Sequence, residues 1–367
     1  MAAAVQIPKT TRALVVRKAA QATNPVFHDA VIEERPIPQL KAGQILVRVH
    51  AAGFNHRDLW IRKGLYPGIG FGHVMGADAA GVVVASADKN DMLLSKRVFF
   101  LPMRGWERDP DAPEGDFTVC GGTKMTEFGA FAQYIVVERD QVIQSPDHLD
   151  DVHMAAWPLG GVTAWRATIV NGAVKKGDNV LITGIGGGVA LIAVQICVAQ
   201  GANVYVTSGS ADKIQKAVEL GAKGGVSYKD SDWPKQLGEL MYKNCAEFLS
   251  AVIDAGGGDI MGKTSPLLKQ GGRVVVYGMH TAPKVTMTMR EVMKNQRLIG
   301  STMGSHQDLI DATNFLAKHK IVPVVSDVLD GLESAEHGFK LLEKGHHFGK
   351  IVIRITPDAP QTFPAKL

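Results

Sequence analysis

The sequence predicts an α/β fold, in which a block of alternating strands and helices is inserted into a β-rich frame. Three observations carry that expectation. The chain has 367 residues, more than one typical domain holds. A buried-strand run, Val180-Leu-Ile-Thr183, ends in a glycine turn and is followed by an apolar helix and a second strand, Asn203–Thr207. From about residue 160 the pattern shifts from strands and turns to strands spaced by helices, as a mostly parallel sheet requires.

The frame comes first. Ala13–Arg17, Ile45–His50, Ala79–Ala85, Arg97–Phe100 and Phe131–Val137 read as strands, with a proline-marked break at Pro36 and Pro38. Residues 104–127 are polar, glycine-rich and weakly periodic, which predicts a long surface loop. In the inserted block, strands are expected at Asn179–Thr183, Asn203–Thr207, Gly225–Tyr228, Ala251–Asp254 and Arg273–Tyr277. Helices fit Val189–Gln200, Ala211–Leu220 and Trp233–Met241. A helix at Gln307–His319, a short strand at Ile321–Val325, a helix at Glu333–Glu343 and a strand at Lys350–Ile355 return to the frame. The expected domains are therefore 1–155 with 297–367, and 156–296 between them.

Composition narrows the function. A formal charge of +4 is modest and is not gathered into a basic run or arm, so nucleic acid is not an expected partner. Cys120, Cys197 and Cys245 form an odd, unpatterned set, which argues for a reducing compartment rather than a disulfide scaffold. No apolar run is long enough for membrane insertion, and the N-terminus lacks a secretory pattern, so a cytoplasmic location is expected. The alternative is peroxisomal: Ala365-Lys366-Leu367 differs from the Ser-Lys-Leu address by one small residue.

The glycine turn reads as Gly184-x-x-Gly187-x-x-Ala190, with Gly186, Gly188 and Val189 completing the start of the helix. Small residues let the main chain approach a pyrophosphate, and the helix presents its free amides to it. A pocket selective for NAD places Asp or Glu at the end of the second strand, against the ribose hydroxyls. Here Ser208 stands at that place. A missing carboxylate, the Ser208 hydroxyl, the charge of Lys213 and the nearby Tyr228 together point to NADPH, unless Asp212 turns inward to serve the NAD role.

Several stretches in order resemble the medium-chain dehydrogenase/reductase superfamily: Asn55-His-Arg-Asp58, Ile61-Arg-Lys-Gly-Leu-Tyr66, Gly76-Ala-Asp-Ala-Ala-Gly-Val-Val83, Gly129-Ala-Phe-Ala-Gln-Tyr-Ile135, Pro158-Leu-Gly-Gly-Val-Thr-Ala-Trp165, Thr183 to Ala190, and Phe348-Gly-Lys-Ile-Val-Ile353. The resemblance covers nearly the whole chain. It implies a Rossmann nucleotide-binding domain inserted into a β-rich GroES-like catalytic domain. It also implies cofactor contacts at Thr163, at Gly278 and along Gly300–Met303.

Zinc alcohol dehydrogenases of that superfamily bind catalytic metal through Cys, His and Cys, with a Glu nearby. The positions matching those ligands are Asn55, Ala77 and Leu159, and the acid is Asp78. The structural zinc lobe needs four cysteines, whereas residues 104–127 hold only Cys120. No metal site is therefore expected; His346 and His347 read as surface residues. The chain is similar to the zinc-independent NADPH quinone, enone and enoyl reductases. That similarity implies hydride transfer to a small apolar quinone, α,β-unsaturated carbonyl or activated aldehyde, then protonation of the product anion. Asn55 is the first catalytic candidate, orienting the nicotinamide ribose or donating toward the substrate oxygen; the alternative is a turn cap. Tyr66 either contacts the carbonyl or is a wall residue beside Pro67. A zinc-type alcohol dehydrogenase with a non-standard site and an NADPH-binding regulatory or structural protein are the other readings. Relatives commonly pair through their nucleotide domains, which implies a homodimer.

Overall fold

The computed structural model describes residues 7–20, 25–126 and 128–356; the C-terminal tripeptide lies outside them. The chain divides into two compact units. The first comprises the chain up to Leu159, Ser305–Ile310 and the chain from Val322 onward; the second is Gly160–Gly304 with Asp311–Ile321.

The first unit begins with β1 (Thr10–Arg17), β2 (Asp29–Pro36), β3 (Gln44–Gly53), α1 (His56–Arg62), β4 (Asp78–Ser86) and β5 (Arg97–Phe100). It continues through β6 (Met103–Arg104), β7 (Thr118–Val119), β8 (Tyr134–Glu138), β9 (Val142–Gln144) and α2 (Asp151–Ala155). Next come α3 (Pro158–Trp165), β10 (Asn179–Ile182), α4 (Gly188–Ala199), β11 (Asn203–Ser208), α5 (Ala211–Glu219), β12 (Gly224–Ser227) and α6 (Trp233–Lys243). They are followed by β13 (Leu249–Asp254), β14 (Gly257–Gly258), α7 (Ile260–Thr264), β15 (Leu268–Val276), β16 (Ala282–Val285), α8 (Met289–Met293) and β17 (Arg297–Gly300). The chain closes with α9 (His306–His319), β18 (Val325–Asp330), α10 (Ala335–Lys344) and β19 (Lys350–Arg354).

In the first unit, strands run in the order β18-β19-β3-β4-β5-β9, with β8 also paired to β3. All pairs but β18–β19 are antiparallel. Alternate residues of β3 and β8 and the continuous run Ala13–Val16 of β1 join one apolar core with Phe54, Phe131 and Phe339. Phe54 packs on both partner rings, at 4.8 and 5.4 Å between centroids, and so fixes the chain immediately before Asn55.

The second unit is a six-stranded, wholly parallel sheet in the order β12-β11-β10-β13-β15-β17. Strand order reverses between β10 and β13, the point at which this architecture binds its ligand beyond the carboxyl ends of the strands. The inner strands are buried on both faces, which is why Val180–Ile182 and Ala251–Ile253 are continuous apolar runs rather than alternating ones. This is a Rossmann unit, and the first is GroES-like.

Three elements depart from expectation. Arg297–Gly300, assigned from sequence to the frame, is the edge strand of the parallel sheet, with Leu298 opposite Val274. The strand expected at Ile321–Val325 runs instead from Val325 to Asp330, because Pro323 has no N–H to give a ladder. Strand β2, Asp-Ala-Val-Ile-Glu-Glu-Arg-Pro, was not foreseen at all; its charges are held on the surface by pairs such as Glu33 with Arg17 and Arg35.

Candidate active site

The glycine turn expected to take a cofactor follows the end of β10. Gly184 has φ +62° and Gly186 φ +144°, conformations that side chains rarely adopt. A Cβ at Gly184 or Gly187 would project into open space, so the turn leaves a cradle for a bulky anion. Gly187 caps α4, whose first-turn residues Gly188 and Val189 are half-buried. The first amides of that helix have no partner within it, which leaves them available to an anion. The turn is tied to β11 by Gly184 N–H donating to Thr207 Oγ1 (3.2 Å) and Ile185 N–H donating to Thr207 O (2.9 Å).

Beyond β11 the charges are arranged for an anion. Ser208 is buried; its hydroxyl donates to Ile185 O at 3.5 Å and accepts from Ser210 N–H at 3.2 Å. Its hydroxyl therefore shapes the turn rather than standing alone at the strand end. Lys213 folds back over the glycines: a Cβ at Gly186 would lie 3.0 Å from its Nζ. Burial, and next the neighbouring Lys216, hold the Lys213 ammonium below its ordinary pKa. Asp212 turns away, to an exposed pair with Lys216 at 2.9 Å, rather than inward. On the other side a Cβ at Gly209 would lie 2.8 Å from both the Tyr228 hydroxyl and Lys229 Cε. Lys229 went unnoticed in the sequence, although it adjoins Tyr228.

At the switch point Thr183 Oγ1 donates to Asp254 Oδ1 (2.5 Å), and Gly257 N–H donates to Asp254 Oδ2 (2.7 Å). Burial raises the Asp254 pKa and lowers that of His280. A Cβ at Gly278 would sit 3.1 Å from His280 Nε2, so Gly278 leaves room for that imidazole. Thr163, buried on α3, donates to Met303 Sδ at 3.7 Å, bringing together the two segments expected near the nicotinamide.

In the first unit Asn55 is the residue preceding α1. Its N–H donates to Asp58 Oδ2 at 2.9 Å, closing the helix start. Its side chain does something else: Nδ2 donates to Asp78 Oδ2 (2.8 Å), while Oδ1 accepts from Lys350 Nζ (2.6 Å). Lys350 also pairs with Asp78 Oδ2 at 3.0 Å, and Asp78 Oδ1 accepts Leu159 N–H at 2.9 Å. All three side chains are buried. Asp58, fully enclosed beside them, is raised to a pKa of about 6 by burial, partly offset by Arg57. Tyr66 lies under the Arg57 guanidinium, 4.7 Å from its carbon to the ring centre, while Arg57 donates to the carbonyls of Cys120 and Gly121. Arg57 is thus turned inward as a brace, and His56 is exposed.

Two family models match: an alcohol dehydrogenase GroES-like domain over residues 41–147 and a zinc-binding dehydrogenase over residues 188–318. The chain is 39% identical over 351 residues to the "Zinc-type alcohol dehydrogenase-like protein YogA" of Leptosphaeria maculans, spanning 92% of this chain and 97% of that one. The chain belongs to the medium-chain dehydrogenase/reductase superfamily. It is 30% identical to a solved NAD-dependent alcohol dehydrogenase, with a TM-score of 0.82 over 94% of this chain and 100% of that one. A crotonyl-CoA carboxylase/reductase solved with NADP shares the fold at 22% identity, with a TM-score of 0.81 over 95% of this chain and 96% of that one.

The donor set of this medium-chain dehydrogenase/reductase does not fit the zinc of its relatives' names. Ala77 and Leu159 have no side-chain electron pair to give, and Asp78 is already committed to Lys350, Asn55 and a backbone amide. Among the described residues no group of three or more His, Cys, Asp or Glu could hold a metal ion. Lys350 was missed because Gly349-Lys-Ile-Val352 reads as an ordinary strand start; only its distant partners reveal it.

Proposed function

We propose that the protein is an NADPH-dependent, zinc-independent oxidoreductase that reduces a quinone, an α,β-unsaturated carbonyl or an activated aldehyde. The observation that carries this reading is that the positions matching the metal ligands hold an amide and two aliphatic side chains, with the amide bonded to a buried ammonium. Such a centre donates hydrogen bonds but offers no Lewis-acid coordination to an alcohol oxygen. It therefore suits acceptors that are already electron-poor.

Lys213, Lys229 and Tyr228 hold the 2′-phosphate of NADPH, the Gly184–Val189 turn holds its pyrophosphate, and Thr163 and Gly278 line its nicotinamide half. When bound, the reduced nicotinamide supplies hydride. The chain's own contribution is to place donors where oxyanion charge grows. Asn55 has one Nδ2 proton left after serving Asp78, and that proton is the donor to the acceptor oxygen. The Tyr66 phenol is a second polar group for the same oxygen. The proton that completes the product, on the α-carbon of an enolate or on the oxygen of a quinol or alkoxide, comes from solvent. We also propose a homodimer: β17 ends the parallel sheet, and Met289, Val292 and Met293 on the helix leading into it are 69%, 54% and 79% exposed.

The test is an NADPH-oxidation screen over quinones, enones, enals and simple ketones, with NADH in parallel and metal analysis of the same protein. The expected result is turnover with conjugated acceptors that survives chelation, with NADPH preferred. Alcohol oxidation that tracks stoichiometric zinc refutes the proposal in favour of a zinc-type dehydrogenase. Tight NADPH binding without turnover on any acceptor refutes it in favour of a regulatory or structural role.

A further inference from the structure

The Lys350 ammonium is an unusual object for a buried strand. It begins β19, is 6% exposed, and its two acceptors come from the chain before α1 and the start of β4. A lysine can only donate and a carboxylate can only accept. The pair therefore fixes the Asn55 amide without ambiguity: Oδ1 toward Lys350, Nδ2 toward Asp78. Removing either partner would free the amide to rotate and leave a charge enclosed without its counter-ion.

We infer that Lys350 is a positioning residue, a built-in cation that bridges Asn55 and Asp78 and locks Asn55 as a preorganised donor. The inference rests on the proposed reductase reading for its kinetic consequence, but not for its geometry. Lys350 neutralises Asp78, so the Asn55 amide can be held against a carboxylate in a buried place. The remaining Nδ2 proton then keeps one direction through the reaction and needs no reorganisation as charge develops.

Three measurements on the full-length protein test this. In Lys350→Met, the Asn55 side-chain amide signal, assigned by its loss in Asn55→Ser, should exchange with solvent at least about tenfold faster than in the wild type. Unchanged exchange in a folded variant would overturn the inference. Lys350→Met should also lower the melting temperature, and Lys350→Met/Asp78→Asn should regain at least half of that loss. Additive losses would show that the two charges do not compensate each other and would overturn the pairing.

For turnover, the double variant should lose about 10²-fold in kcat with its NADPH dissociation constant unchanged. Lys350→Arg, which restores the charge, should recover most of that loss. A double variant that turns over like the wild type refutes the role of Lys350 while leaving the reductase reading intact. Should the wild type reduce no acceptor, the reductase reading falls, and amide exchange and melting still decide whether Lys350 locks Asn55.

Discussion

Replacing Lys213 by alanine tests the phosphate pocket most directly. Its ammonium lies over Gly186, and its charge is disfavoured in the free protein by burial and by Lys216. A 2′-phosphate would relieve that cost, whereas a 2′-hydroxyl offers no charge to meet. A charge-assisted hydrogen bond contributes about 1.5–3 kcal/mol, and Lys213 is partly solvated, so the lower end applies. At about 1.4 kcal/mol per decade, Lys213→Ala should weaken NADPH roughly tenfold. NADH should change by less than about twofold. Lys229→Ala should behave alike but more weakly, since Lys229 is exposed. The double variant should fall short of the product of the two effects, because both lysines serve one phosphate. Fluorescence titration of each cofactor at two salt concentrations reads all of this, with the NADPH advantage shrinking as salt screens the pair. Equal weakening of both cofactors, or none of NADPH, would show that the pocket does not read the phosphate.

Other consequences are as concrete. Asp58 has its folded pKa raised to about 6 from 3.8, so the enclosed carboxyl favours its neutral form. Its contribution to stability is therefore full at low pH and is lost as pH rises toward and through 6; Asp58→Asn should flatten that part of the melting profile, provided the variant keeps the Asn55 N–H bond. Ser208→Asp should cut NADPH affinity at least about tenfold and spare NADH, read by the same titration, since a carboxylate would face the phosphate. Phe54→Ala should cost about 3–5 kcal/mol in denaturant unfolding, because two aromatic rings lose their partner. Glu114 accepts the backbone N–H groups of Glu107, Arg108 and Asp109 at 2.8, 2.8 and 2.7 Å. Glu114→Ala should speed hydrogen exchange at those amides. In the wild type their protection should persist through and below the ordinary carboxylate range and fail only as pH drops through about 2.

Local signals made much of this legible. The Rossmann strands were readable because both faces are buried, and Val180–Ile182 could be nothing but apolar. The glycine turn and the missing acid at Ser208 were readable because a backbone conformation and a charge each leave a residue-level trace. Strand β2 was not: its apolar side is thin, and two of its four charged residues, Glu33 and Arg35, form pairs with Arg17 of β1 and with each other. Nor was Arg297–Gly300, whose only claim to be a strand is its neighbour β15. Lys350 was invisible for the same reason. Its meaning depends on Asn55 and Asp78, which lie nearly 300 positions away in sequence, as their contacts record.

Two clusters in the first unit, one around Asn55 and one around Glu114, are built by one physical device. A metal ion does two things for a fold: it concentrates positive charge, and it gathers several electron-pair donors around a point. At Asn55 the positive charge is the Lys350 ammonium, and the gathered groups are an amide oxygen and a carboxylate. In the loop between Met103 and Val119 the signs are inverted. The Glu114 carboxylate is the point charge, and three successive backbone amides converge on it, while Trp106 packs edge-on to Phe117 at 5.8 Å beneath them. Both arrangements fix geometry with hydrogen bonds that must be donated or accepted in one sense only, so they hold orientation as well as position. What they give up is an open coordination site. An alcohol oxygen would need such a site to be deprotonated, whereas a conjugated carbonyl needs only a donor held still while charge reaches its oxygen. On the proposed reading, aliphatic side chains at Ala77 and Leu159 and an electron-poor acceptor therefore go together.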